Sequence, residues 1–194
     1  MSTPEHQPAR TYPPFWFRLS VTNGNLLQIA GMLAGGGLVA LAGSPDLNGL
    51  LRFALMLLGA LLIYCCCHSL GHWLVGRLLG IRFSGCGVRG TNHPQDLGPV
   101  LRAILTRLPM FTVMTEKSSM ERARPLAKAL MFAAGETSTI ICVLSLGFYA
   151  WQTGVPGGLL WFIVALLMCA DALISTSRMP TGDYARARRA LRGN

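Results

Sequence analysis

The sequence predicts an all-α membrane protein with about four transmembrane helices, and three observations carry that prediction. Hydrophobic residues make up 52% of the 194 and charged residues only 13%, about half the usual charged share of ~25%. Stretches free of Asp, Glu, Lys and Arg run from Leu19 to Pro45, from Phe53 to Gly76 and from Thr137 to Ala170. Each exceeds the ~20 residues that cross ~30 Å of hydrocarbon, and the third is long enough for nearly two crossings. The basic residues, 17 against 8 acidic ones for a net charge of +9, collect beside the apolar runs. Together these exclude a secreted disulfide scaffold and a soluble nucleotide-binding enzyme. Nucleic acid is not an expected partner either, because no basic stripe with interleaved stacking aromatics appears.

Taken in order, residues 1–24 form a polar segment that ends in aromatics (Tyr12, Phe15, Trp16, Phe17), expected at the headgroup level. Too much polar chain precedes the first apolar run for a simple signal peptide. The spans are expected near 25–43, 51–76, 126–151 and 158–177. Residues 25–50 are the first span and its outer connection, and 51–190 the membrane core. Gly31 and Gly35 make a Gly-x-x-x-Gly, which permits close helix approach within the chain or in a dimer. Thr153 to Gly158 is the tight outer turn, with glycine and proline as helix breakers. Five of the six cysteines lie within spans, so they make no disulfide framework.

Lys and Arg number two before the first span, one (Arg52) in the first connection, nine from Arg77 to Lys128, none in 152–157 and five from Arg178 onward. Basic loops mark the cytoplasmic side, so both termini and the 77–125 loop are expected in the cytoplasm. Within that loop, Ile81 to Gly90 alternates in places and reads as a short strand or hairpin. Val100, Leu101, Ile104, Leu105 and Leu108 follow helical spacing, which suggests a short amphipathic helix on the bilayer or over a cavity.

The chemistry sits in the second span as His68-Ser69-Leu70-Gly71-His72. A spacing of i, i+4 puts both imidazoles on one helix face, the arrangement with which a single helix holds zinc. Ionisable groups in a membrane helix are costly and mark functional sites. The plainer alternative is a pair of histidines hydrogen-bonding between helices. At ~1.5 Å per residue, His72 lies ~8 Å and His68 ~14 Å inward of Arg77, Asp171 ~10 Å inward of Arg178, and Glu136 ~12 Å inward of Lys128. All four fall in one slab, with the carboxylates expected to face the bundle interior. Asp183 is just past the fourth span on the same side, so Asp171 and Asp183 both stand as third ligand. Cys65, at i−3 from His68, is a further candidate soft ligand. His93 reads as a loop histidine.

These motifs resemble the site-2 protease family of intramembrane zinc metallopeptidases. His68-Ser69-Leu70-Gly71-His72 is similar to that family's His-Glu-x-x-His, Ala134-Gly135-Glu136 to its Ala-Gly-Pro, and Arg178-Met179-Pro180-Thr181-Gly182-Asp183 to its last motif with the third ligand. The likeness spans roughly 51–190 in the family's motif order. It implies that the last three helices form a metalloprotease-like core, that Zn2+ is the cofactor, and that His68, His72 and Asp183 hold it. The departures are equally specific. The family's general base is Ser69 here, Glu136 replaces Pro, Thr139 and Ser177 stand at two Asn positions, and Tyr184 follows Asp183 in place of Gly.

A serine hydroxyl has no useful acidity near neutral pH. The resemblance therefore implies a member with impaired or absent proteolysis, unless Glu136 substitutes as base from the adjacent helix. Expected partners are membrane lipid and single-span membrane proteins, either as substrates or as clients that a non-catalytic relative binds and escorts. Phe83, Gly85 and Gly87 would take an extended substrate by strand addition. A third reading is a metal-ion relay through Cys65, His68, His72 and Asp171.

Overall fold

The computed structural model describes residues 14–90, 103 and 106–193. Their element order is β1 (Phe17–Leu19), α1 (Val21–Ala42), α2 (Gly49–Leu78), β2 (Phe83–Arg89), β3 (Met110–Thr115), α3 (Lys117–Arg122), α4 (Pro125–Gln152), α5 (Gly158–Arg178) and α6 (Asp183–Arg192). The helices α1, α2, α4 and α5 are long and apolar enough to cross a membrane, which makes this a multi-pass membrane protein. Their outer faces carry leucine, with Leu33 72% and Leu167 65% exposed. In water such exposure is a liability; in lipid it costs nothing. The proposed amphipathic helix near 100–108 and His93 fall largely outside the described residues.

Local chemistry sets the helix ends. Ser20 Oγ accepts from Asn23 N–H at 3.1 Å and Asn48 Oδ1 from Leu51 N–H at 2.9 Å, satisfying donors that the first turn leaves free. Gly80 at φ +82° ends α2, with Ile81 N–H bonding Gly76 C=O and Gly80 N–H bonding Arg77 C=O, the paired pattern of a left-handed helix stop. Pro125 opens α4 at its first turn, where a missing N–H costs nothing. Arg52 donates from Nε to Ala42 C=O at 2.9 Å and from a terminal nitrogen to Thr153 C=O at 2.8 Å. The lone basic residue at this end therefore caps α1 and the end of α4, placing a cation where helix dipoles favour one.

Between α1 and α2 the backbones nearly touch. A Cβ on Gly35 would lie 2.9 Å from Gly59 C=O, and one on Gly59 would lie 2.7 Å from Gly35 C=O. The Gly31/Gly35 pair thus serves a contact within the chain, which resolves the alternative that the spacing left open. Lipid supplies no hydrophobic drive between helices, so close packing of small residues does this work. At the other end Val39, Ala42, Met56, Ala150 and Val155 make a buried cluster.

Ile81 to Gly90 contains a strand rather than a hairpin. β2 is the centre of a three-stranded antiparallel sheet, with β1 on one side (Phe17 opposite Val88) and β3 on the other (Val113 opposite Cys86). The aromatics before α1 belong to this sheet: Phe15 packs where Gly87 has no side chain, under the guanidinium of Arg89 at 4.5 Å.

Candidate metal centre

Three helices converge on one point. His68 and His72 project from α2 with ring centroids 4.8 Å apart, edge to face. Their Nε2 atoms are 3.2 Å apart, and Asp183 Oδ2 is 3.2 Å from each. These three are the residues that the described chain offers as a metal-ligand group. Zinc bound tetrahedrally at 2.0–2.1 Å spaces its ligand atoms about 3.3–3.4 Å apart, so the triangle has the size that zinc requires.

The partners of the remaining ring nitrogens fix the tautomer. His72 Nδ1 lies 2.7 Å from Met131 C=O, an acceptor only, so that nitrogen carries the hydrogen. His68 Nδ1 lies 3.1 Å from Thr139 Oγ1, whose own hydrogen goes to Gly135 C=O at 3.1 Å, so His68 Nδ1 donates as well. In the neutral form of each ring, Nε2 then presents a lone pair. Two lone pairs and a carboxylate oxygen then face one another, an arrangement that a metal ion at their centre would satisfy, as would a proton on one ring donated to Asp183 Oδ2. Orienting partners of this kind hold ligand histidines in metal sites.

The helix α4 supplies these partners because it comes very close to α2. A Cβ on Gly71 would lie 2.8 Å from Ala134 C=O, and one on Gly135 would collide with the His72 ring at Nε2. Ser138 Oγ bridges the crossing, 3.1 Å from Cys67 C=O and 2.7 Å from Gly135 C=O. Asp183 arrives differently. The chain turns after α5 through Met179–Gly182, and Asp183 is the first residue of α6, where a negative charge suits the helix N-terminus. Tyr184 and Thr137 hydroxyls meet at 3.0 Å and tie α6 to α4.

Ser69 borders the same cavity, but its hydroxyl is turned to α1. It is 2% exposed and donates from Oγ to Gln28 Oε1 on α1 at 2.5 Å. Gln28, fully buried, donates in turn to Gly24 C=O at 3.1 Å and lies 3.9 Å from Cys86 Sγ. Burial pushes the Cys86 thiol up, so it acts here as a packing group. Gln28 is the neighbour that sequence reasoning missed, whereas Thr139 stood out only by its place in the resembled motif. A glutamine inside an otherwise charge-free span was the available signal for the first, since a polar group there needs a partner.

A cavity of about 400 Å³ opens beside the triangle, lined also by Glu136, by β3 residues including Phe111 and Val113, and by Arg186. Glu136 is 9% exposed and interacts electrostatically with His68, His72 and Asp183, yet stands outside the ligand group. Two candidate ligands do not join. Asp171 is exposed on α5, because Cys169, two residues earlier, is the one that turns inward to Ile140 C=O. Two residues are about 200° of helix, so depth matched the slab while direction did not. Cys65 is half-buried and also outside the group. Phe83, Gly85 and Gly87 lie on the central strand, where Cys86 to Val88 is paired on both sides, so an added strand finds no free edge at Gly87. Phe83 instead fills the space that Gly76 leaves on α2. Among the described residues, β3 has the sheet's open edge on this cavity.

Compared with protein-family models, curated proteins and solved structures, the chain matches none of them.

Proposed function

We propose that this chain is a site-2-protease-like membrane metalloprotein that binds zinc through His68 Nε2, His72 Nε2 and Asp183 Oδ2, with proteolysis impaired by the loss of the base at Ser69. The observation that carries the reading is the triangle of His68 Nε2, His72 Nε2 and Asp183 Oδ2, 3.2 Å on each side, which has the size of a zinc ligand set. Zinc, when bound, supplies a Lewis acid that polarises a peptide carbonyl and makes water more acidic. Three protein ligands suit a catalytic rather than a closed structural site, since structural zinc takes four.

The chain's own groups then divide the work. Thr139 Oγ1 and Met131 C=O orient the imidazoles. The open edge of β3 offers backbone groups to an extended segment of a single-span membrane protein beside the triangle. Ser69 Oγ, committed to Gln28, takes no proton from a substrate site. Glu136 is the carboxylate on the cavity that remains to hold a proton, and removing a positioned base costs ~10²–10⁴ in rate. Residual cleavage of a transmembrane substrate is therefore expected to vanish in Glu136→Gln, and unchanged cleavage would remove Glu136 from this role. The basic loops assign both termini and the 77–125 loop to the cytoplasm.

A non-catalytic protein that captures and escorts single-span helices uses the same cavity, and the buried Ser69–Gln28 pair favours it over a fully active peptidase. A metal relay needs Cys65 and Asp171, which stand outside the group. Metal content of the detergent-purified protein tests the proposal. About one zinc per chain is expected, lost in His72→Ala and Asp183→Ala. No metal, or metal indifferent to both changes, overturns it.

A further inference from the structure

A second cleft, of about 510 Å³, opens where α2 ends, β2 begins and α3 leads into α4. Its lining combines three guanidinium groups, Arg82, Arg122 and Arg124, with the apolar side chains of Leu126 and Leu130. Two hydrogen bonds hold the arginine-bearing segments together. Arg82 N–H donates to Ser119 Oγ at 2.8 Å, and Glu116 N–H donates to Arg82 C=O at 3.0 Å. The three arginines are exposed, and among the described residues no carboxylate forms an ion pair with any of them.

Position gives this charge its meaning. Arg82 follows the end of α2 and Arg124 immediately precedes α4, so both stand at one boundary of the membrane-spanning bundle. Leu126 and Leu130, 60% and 45% exposed, are i and i+4 on α4 and continue from the cleft along its lipid-facing side. A cationic rim above an apolar wall, at headgroup level, matches a molecule with a phosphate at one end and an acyl chain at the other. Basic pockets between transmembrane helices bind anionic headgroups in this way. A free anion would use the rim and leave the wall unfilled.

We propose that this cleft is a binding site for an anionic phospholipid, its phosphate held by Arg82, Arg122 and Arg124 and an acyl chain lying along Leu126 and Leu130. The site does not depend on the zinc reading. Its consequence is mechanical, because the lipid would bridge the end of α2, about three turns beyond His68, to the start of α4, the helix that orients both imidazole rings.

Native mass spectrometry of the intact detergent-solubilised chain, titrated with phosphatidylglycerol or phosphatidylcholine of the same acyl composition, tests it. Phosphatidylglycerol is expected to be retained in preference. Each arginine removed should weaken it about fivefold, the equivalent of about 1 kcal/mol per charge, so Arg122→Gln/Arg124→Gln loses roughly 25-fold. Arg192→Gln, on α6, should lose none of it. Equal retention of both lipids by the wild type overturns the proposal without recourse to any variant. So does a loss in Arg192→Gln as large as in the double variant, or displacement of the lipid by millimolar inorganic phosphate.

Discussion

The two faces of α2 are built with the same packing device and opposite polar chemistry. Toward α1, Gly59 meets Gly35 backbone to backbone, and the polar link is Ser69 to Gln28, a closed pair with both partners buried. Toward α4, Gly71 brings the backbones equally close and Gly135 makes room for the His72 ring, but the polar links end on the Nδ1 atoms of His68 and His72 and turn both Nε2 atoms to Asp183. Close approach alone thus does not make a site. What differs is whether the hydrogen bonds consume a polar group or aim it, and here the Ser69 hydroxyl is consumed while the two imidazoles are aimed.

The largest effect that sharpens this contrast is expected from Gly135→Ala. Its methyl group would occupy the place of His72 Nε2, so metal content should fall from about one ion per chain to near none; the matching change on the other face, Gly35→Ala, should destabilise the fold but spare the metal of the protein that folds. Retained zinc in Gly135→Ala breaks the contrast. Restoring the base comes next. Ser69→Glu alone drives a longer side chain into Gln28 and should lower thermal stability with no gain in cleavage. Combined with Gln28→Ala, which clears the space, it should raise the cleavage rate by ~10²–10⁴. Equal gains from the single and double variants would show that Gln28 does not block the position.

Smaller again is Thr139→Val. It removes the acceptor that holds His68 in its metal-ready form, so zinc affinity should weaken by about 10–100-fold in a competition titration with a chelator. The smallest change is expected from Gln28→Leu. The lost interhelical hydrogen bond should cost about 0.6 kcal/mol of stability, and no more than about 1.7, with zinc affinity unaltered.

Much of this architecture was legible in the chain. The three charge-free runs, the last long enough for nearly two crossings, place α1, α2, α4 and α5 because burial of charge in hydrocarbon is costly enough to pattern the sequence. The i, i+4 spacing of His68 and His72 is a local helical property and survives into the structure. What was not legible depends on rotation and on distant pairing. Depth put Asp171 level with the histidines, but only the packing of Cys169 inward turned it away. The pairing of β2 with strands 60-odd residues before it and some 25 after it leaves no mark on Gly85 or Gly87, whose glycines suit a turn as well as a crowded central strand. Gln28 was visible as a polar residue in an apolar span, yet its partner, 41 positions away, was not.

In the proposed site two imidazoles and one carboxylate hold the metal, and the cysteines beside them take no part. Zinc-edge X-ray absorption of the purified protein tests this most directly. Nitrogen and oxygen scatterers near 2.0–2.1 Å, with the imidazole pattern of two rings, are expected. Sulfur at about 2.3 Å would contradict it, moving the metal to Cys65, Cys66 or Cys67 and leaving the triangle of His68, His72 and Asp183 as a hydrogen-bonded cluster.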